Sequence, residues 1–128
     1  MSLGSSFCYT LSTRKKALVP LADGFEDIEA VSIIDVLRRG GVNVVTASLS
    51  DGTAVRSAHG IRMEADARLP DVLEGEYDAI ILPGGGEGTQ NLSECEPLLE
   101  RLRRQKQRML DAKHAHSEIK ANRKPVDW

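Results

Sequence analysis

The acids Glu26, Asp27 and Glu29 stand where a hydrophobic strand gives way to a helix, and about 55 residues after Glu29 the chain reads Leu82-Pro83-Gly84-Gly85-Gly86-Glu87-Gly88. Acids in a first helical turn can simply complement the helix dipole, at about 0.3–1 kcal/mol each. Glu29 has a second reading. With Glu26 and Ser32 three residues to either side, it lies beside the apolar Ile28 and Ile33, so it is expected to point partly inward. A partly buried carboxyl holds its proton more tightly, and can donate a hydrogen bond or shuttle a proton. The glycines leave three readings open. Their N–H groups could form an oxyanion hole beside a nucleophile. They could cradle a phosphate, although the run spells neither GxGxxG nor GxxxxGK[ST] and follows the third strand, not the first. They could also be a tight turn that needs positive φ.

The remaining reactive side chains are less organised. Cys8 and Cys95 are isolated, without CxxC spacing, so neither a disulfide framework nor a zinc site is indicated. Cys95 is flanked by Glu94 and Glu96 at a helix start and reads as a bystander, not a nucleophile. His114 and His116 are two residues apart, which on a helix turns them different ways, and no third ligand stands near. No metal is expected. His59, before Gly60, reads as a surface loop residue.

The elements that must position these groups follow from the apolar pattern. Ala17 to Ala22 reads as a short buried strand, in which Pro20 is awkward because a central strand uses its N–H. Ile28, Val31, Ile34 and Leu37, with Ile33 and Val36 beside them, make a wide helical stripe that Gly40-Gly41 ends. Asn43 to Leu49 is a second strand. Thr53 to Val55 and Ile61 to Ala65 form a small antiparallel excursion beyond the Asp51-Gly52 turn, and Leu69 to Leu73 a helical turn. Tyr77 to Leu82 is a third strand, Gly84 to Gly88 a loop, and a further helix starts near Glu96, with Pro97 in its first turn. Strands alternating with helices imply a doubly wound parallel sheet. Right-handed crossovers then bring the loops after Ala22 and after Leu82 to one edge, the edge where such sheets bind ligands.

Composition narrows the classes. At 128 residues, 41% hydrophobic and 28% charged, this is an ordinary globular chain, and with two Phe, two Tyr and one Trp its core must be aliphatic. No apolar run approaches the roughly 20 residues of a membrane span. The net charge of −2 divides unevenly: residues 1–99 carry 8 Lys/Arg against 15 Asp/Glu, residues 100–128 carry 9 against 4. A basic end on an acidic body can serve a nucleic-acid or acidic partner, or can be a plain solvated helix face, the reading preferred here. Two lone cysteines fit a reducing compartment such as the cytoplasm. Residues 1–16, rich in Ser and Thr with Arg14, Lys15, Lys16 and no acid, read as a flexible leader with a weak likeness to a mitochondrial transit peptide.

Taken together, Ala17-Leu18-Val19-Pro20-Leu21-Ala22-Asp23-Gly24-Phe25-Glu26-Asp27-Ile28-Glu29 and Leu82-Pro83-Gly84-Gly85 with Gln90-Asn91-Leu92 resemble the ThiJ/PfpI superfamily, nearest to its parkinsonism-associated deglycase branch. The resemblance covers residues 16–107, about the first half of that fold. It implies a flavodoxin-like α/β sandwich, here truncated, and usually a homodimer, with no cofactor. In that family a cysteine at a strand-to-helix elbow attacks small reactive carbonyls such as methylglyoxal and is oxidised during stress. A protonated glutamate matching Glu29 hydrogen-bonds the cysteine, and glycines matching Gly84 and Gly85 line the pocket. The resemblance also excuses Pro20, since the family tolerates proline there.

The departure lies after Gln107. Where the family has a strand and its cysteine, this chain has Arg108-Met109-Leu110-Asp111-Ala112-Lys113-His114. The expected organisation is a leader over 1–16, a partial domain over 17–110 and a divergent basic tail over 111–128, loosely helical at most. Without the later strands the sheet is laid open and loses side chains worth about 1.5–3 kcal/mol each. Against a usual net stability of about 5–15 kcal/mol, an active monomer is not expected. Glyoxalase or deglycase chemistry, crippled in this chain, is the leading reading. An interaction fragment using the basic segment and a nucleotide-binding half-domain are the rivals.

Overall fold

The structure, a computed structural model, describes residues 14–121, with side chains through Ala115. Most of the leader with Cys8, the side chain of His116 and residues 122–128 lie outside the described residues. The element order is β1 (Lys16–Leu21), α1 (Asp27–Arg39), β2 (Asn43–Ser48), β3 (Ala54–Arg56), β4 (Arg62–Glu64), β5 (Ala67–Arg68), α2 (Leu69–Val72), β6 (Ala79–Ile80), α3 (Gly86–Ser93) and α4 (Glu96–Ala121). The chain divides after Cys95 into two compact units.

The first unit is built on a parallel sheet in the order β5-β2-β1-β6, with the antiparallel β3–β4 hairpin separate from it. This is the flavodoxin-like arrangement, in partial form. β1 is wholly buried from Ala17 onward and pairs with β2 along its full length, Lys16 opposite Asn43 through Leu21 opposite Ser48. Pro20 is accommodated by parity. Leu21 accepts from Leu49 N on the β2 side, whereas Lys16 and Leu18 accept from Asp78 N and Ile81 N on the β6 side. Pro20 shares the parity of Lys16 and Leu18, so its absent donor faces the β6 side, beyond Ile80 where that ladder ends. Val19, Leu21, Phe25, Ala30, Ile34, Val44, Val55 and Ala65 form one buried cluster, with Ile33, Leu37, Val42, Met63 and Ile81 packed against it.

Three expectations are corrected. The inner face of α1 is Ala30, Ile33, Ile34 and Leu37. Ile28 (76% exposed), Val31 (51%) and Val36 (64%) point outward. The helix is apolar on two sides, and the sheet covers only the one that carries the small Ala30. The third strand is regular only at Ala79–Ile80, because it has a ladder partner on one side alone among the described residues. The glycine run is not all loop: α3 begins at Gly86, with Gly85 as its cap.

The second unit is α4. The segment after Asp111 continues it as regular helix to Ala121, in keeping with the helix-forming Ala112, Lys113, Ala115, Glu118, Lys120 and Ala121. Arg103 bridges Glu96 and Glu100 at 3.0 and 3.1 Å, and Gln107 donates to Asp111 at 3.0 Å. From Lys106 through Ala115 every residue is exposed.

Candidate active site

The loop from β1 into α1 and the loop from β6 into α3 meet at the carboxyl edge of the sheet. The β1 strand has β2 on one side and β6 on the other, so this is the switch point of a doubly wound sheet. Gly24 turns the chain at φ +87, and Gly24 N donates to Arg56 O at 2.8 Å. Glu26 then caps α1: its Oε2 accepts from Glu29 N at 2.6 Å, and its own N–H donates across the edge to Gly84 O at 2.9 Å. Return bonds run from Gly88 N to Gly24 O at 3.2 Å and from Asn91 Nδ2 to Asp23 O at 2.9 Å.

These bonds bring Glu29 and Gly84 together. A Cβ built on Gly84 would lie 2.7 Å from Glu29 Oε2, so the carboxylate lies over the bare backbone of Gly84. Gly85, at φ +104, is pressed onto the 24–26 turn; a Cβ there would meet Gly24 O at 2.6 Å and Glu26 N at 2.8 Å. The expected inward tilt of Glu29 is corrected, however. Its residue is exposed, because Ala30 and Ile34 take the inward positions and leave Glu29 one step around the helix, over the glycines.

The other reactive side chains are elsewhere. Cys95 lines a separate open groove of about 350 Å³ with Ala22, Asp23, Leu49, Ser50, Asn91 and Glu94. His114 is exposed on α4. Among the described residues no group of three His, Cys, Asp or Glu could hold a metal.

One cluster escaped the sequence reading. Asp27 Oδ2 accepts from Ser57 Oγ, and its Oδ1 meets His59 Nδ1 at 2.9 Å and accepts from His59 N at 3.3 Å. Ser57 Oγ in turn accepts from Ile61 N at 2.9 Å. The bonds from Ser57 and then from His59 hold the Asp27 carboxyl below the usual carboxylate range. The hydrogen bond and charge of Asp27 raise His59 above the ordinary histidine value. This is not a nucleophile relay, since the carboxylate sits between serine and histidine, and Ser57 is buried. The sequence signal was an acid in a first helical turn followed, 30 and 32 residues on, by Ser-x-His.

The profile of the DJ-1/PfpI family matches residues 15–110. Protein DJ-1 homolog B of Arabidopsis thaliana is 46% identical over 94 residues, which are 73% of this chain and 22% of that protein. The Parkinson disease protein 7 homolog of Danio rerio is 41% identical over 95 residues, 73% of this chain and 50% of that protein. Among solved structures, oxidized Toxoplasma gondii DJ-1 superposes with a TM-score of 0.72 at 41% identity, over 73% of this chain and 51% of that one. The chain thus spans about half or less of the length of these relatives. With the family profile matching most of its length and relatives at 41–46% identity, this chain belongs to the DJ-1/PfpI family.

Proposed function

We propose that residues 17–110 form the glutamate-and-glycine part of a cofactor-independent pocket for small reactive carbonyls, of the glyoxalase or deglycase type and linked to oxidative stress, and that this chain does not itself turn over substrate. The observation that carries the reading is the Glu29 carboxylate set against the bare Gly84 backbone at the switch point of the sheet. Glu29 would supply or take a proton, and the Gly84–Gly85 backbone would line the pocket. The inactivity follows from the chemistry: acid assistance without a nucleophile recovers little of such a rate. The only cysteines are Cys8 and Cys95, and Cys95 lines another groove.

Two measurements test this. Consumption of methylglyoxal by the chain should equal that of a Glu29→Gln control, and turnover above that control would refute the inactivity. Titration with hydroxyacetone should move the amide resonances of Glu29, Gly84 and Gly85 together. Unmoved resonances at all three would refute the pocket. The homodimer implied by the resemblance is supported by the outward Ile28 and Val31, neighbours on α1; Ile28→Ser should then lower the mass seen by sedimentation. No helix among the described residues is long and apolar enough to cross a membrane. A reducing, cytoplasmic setting is supported by the two isolated cysteines, and a mitochondrial one by the basic, Ser/Thr-containing residues 1–16.

A second reading rests on α4, whose exposed Lys106, Arg108 and Lys113 stand beside exposed Met109 and Leu110. A non-catalytic contact with an acidic partner through this segment would appear as salt-dependent retention on heparin.

A further inference from the structure

We propose that Asp27, Ser57 and His59 form a proton-responsive clamp, which fixes the turn of the β3–β4 hairpin to the first turn of α1 at mildly acidic pH and loosens it as pH rises. The base of the hairpin is tied by backbone bonds that do not depend on His59: Gly24 N to Arg56 O at 2.8 Å and Ala58 N to Phe25 O at 2.8 Å. The turn beyond them is different. Two of its ties to α1 end on one carboxylate, from His59 N and His59 Nδ1, while Gly60 N and Ile61 N are held within the turn by Ser57 O at 3.1 Å and Ser57 Oγ at 2.9 Å. Ser57 Oγ itself hangs on Asp27. Removing charge from His59 therefore weakens the ring's tie to Asp27 and slackens residues 59–61, while Ser57 N to Ile61 O and Ala58 N to Phe25 O, both at 2.8 Å, keep the base of the turn folded.

The asymmetry of exposure makes the device responsive. The Asp27 side chain is 13% exposed, so its charge is poorly screened, whereas the His59 side chain is 77% exposed and takes protons directly from solvent. The charged groups that bear on His59 are Asp27 and, more weakly, Glu26, both at the start of α1. Both are acids, so both favour the protonated ring. The sign follows. A histidine titrating higher in the closed state than in the open one contributes its stabilisation fully below the free value, and loses it as pH rises through the closed-state value. Asp27 acts oppositely at the acid end: its contribution is present above the free carboxyl value and disappears as pH falls through its own lowered one. The clamp is tightest between these two limits. At higher pH a neutral ring protonated on Nδ1 still donates to Asp27, so the turn loosens without detaching.

The experiment uses the 128-residue chain in solution. The His59 ring is titrated by NMR, and hydrogen exchange of the His59, Gly60 and Ile61 amides is followed from pH 5 to 9 and corrected for intrinsic rate. Ala58 and Leu49 serve as references for the folded body. The expected result is a His59 midpoint above about 6.5, the free value. Protection of the three turn amides should fall with rising pH by up to about tenfold for each unit of that elevation, while the references stay level. In His59→Gln, which keeps a donor but cannot titrate, the three amides should show no pH dependence. A midpoint at or below about 6.5, level protection in the native chain, or an unaltered pH dependence in His59→Gln would each overturn the proposal. If the references show that His59→Gln does not fold, the native titration and protection profile decide alone.

Discussion

Gly85→Ala should unfold the first unit or bring it close to unfolding. Two terms add. The backbone at φ +104 is a conformation that side chains with a Cβ rarely adopt, at about 1–3 kcal/mol of strain. The new methyl would also sit 2.6 Å from Gly24 O and 2.8 Å from Glu26 N. Both are backbone atoms held in the β1–α1 turn, so neither can swing aside, and moving them costs about 1–3 kcal/mol, as overpacking does. The sum, about 2–6 kcal/mol, is large beside a typical stability of about 5–15 kcal/mol. Urea unfolding followed by far-ultraviolet circular dichroism should show a midpoint lowered by about 1 M or more, for a slope of about 1–3 kcal/mol per M. Gly86→Ala is the control one residue away. Gly86 is the first residue of α3, and nothing lies within 4 Å of a Cβ there. Alanine at that position should be neutral, or stabilising by up to about 1 kcal/mol. A loss below about 1 kcal/mol for Gly85→Ala, or equal losses for both variants, would refute the packing argument.

Gly84→Ala should behave differently from Gly85→Ala: the three atoms nearest its Cβ all belong to the end of the Glu29 side chain, which can swing away, so stability should change by less than about 1 kcal/mol while the hydroxyacetone response at Glu29 disappears. Phe25→Ala removes one of the largest fully buried side chains and should cost about 3–5 kcal/mol in the same urea assay. On the acid side, the stability difference between the native chain and Asp27→Asn should shrink as pH falls below about 4, because the stabilisation from the depressed carboxyl is present above its unfolded value and lost below its folded one. A difference constant from pH 5 to 2 would contradict that assignment.

The sheet was legible where side chains repeat a simple rule. A continuous apolar run marked β1, a segment rich in Val and Thr marked β2, and Asp51-Gly52 marked the excursion that became β3 and β4. The buried face of α1 was not legible, because Ile28, Val31 and Val36 are as apolar as the residues that pack, and periodicity cannot choose between two apolar sides. Helix α3 was hidden for another reason. Gly86-Glu87-Gly88-Thr89-Gln90-Asn91 is a poor intrinsic helix, and its bonds from Gly88 N and Asn91 Nδ2 to the β1–α1 turn help hold it. In the site, the meeting of Glu29 and Gly84 followed from strand-end topology and from the resemblance. The Asp27–Ser57–His59 cluster did not, since each member is ordinary by itself and only the folded hairpin brings them together.

The parity of Pro20 has a dynamic consequence. On one side β1 is joined to β2 over six residues, while on the other β6 holds two, and the proline offers no donor to lengthen that seam. Of the two seams of β1, the one with β6 should therefore open first, and the amides of Asp78 and Ile81 should exchange with solvent ahead of those that join β1 to β2. The glycine segment downstream is moored elsewhere, by Glu26 N to Gly84 O and by the contact of Gly85 with the 24–26 backbone. It rides with α1 instead of with its own strand. The spacing between Glu29 and Gly84 is thus insulated from the breathing of the sheet margin, and it stays constant while the strand that delivers Gly84 comes and goes.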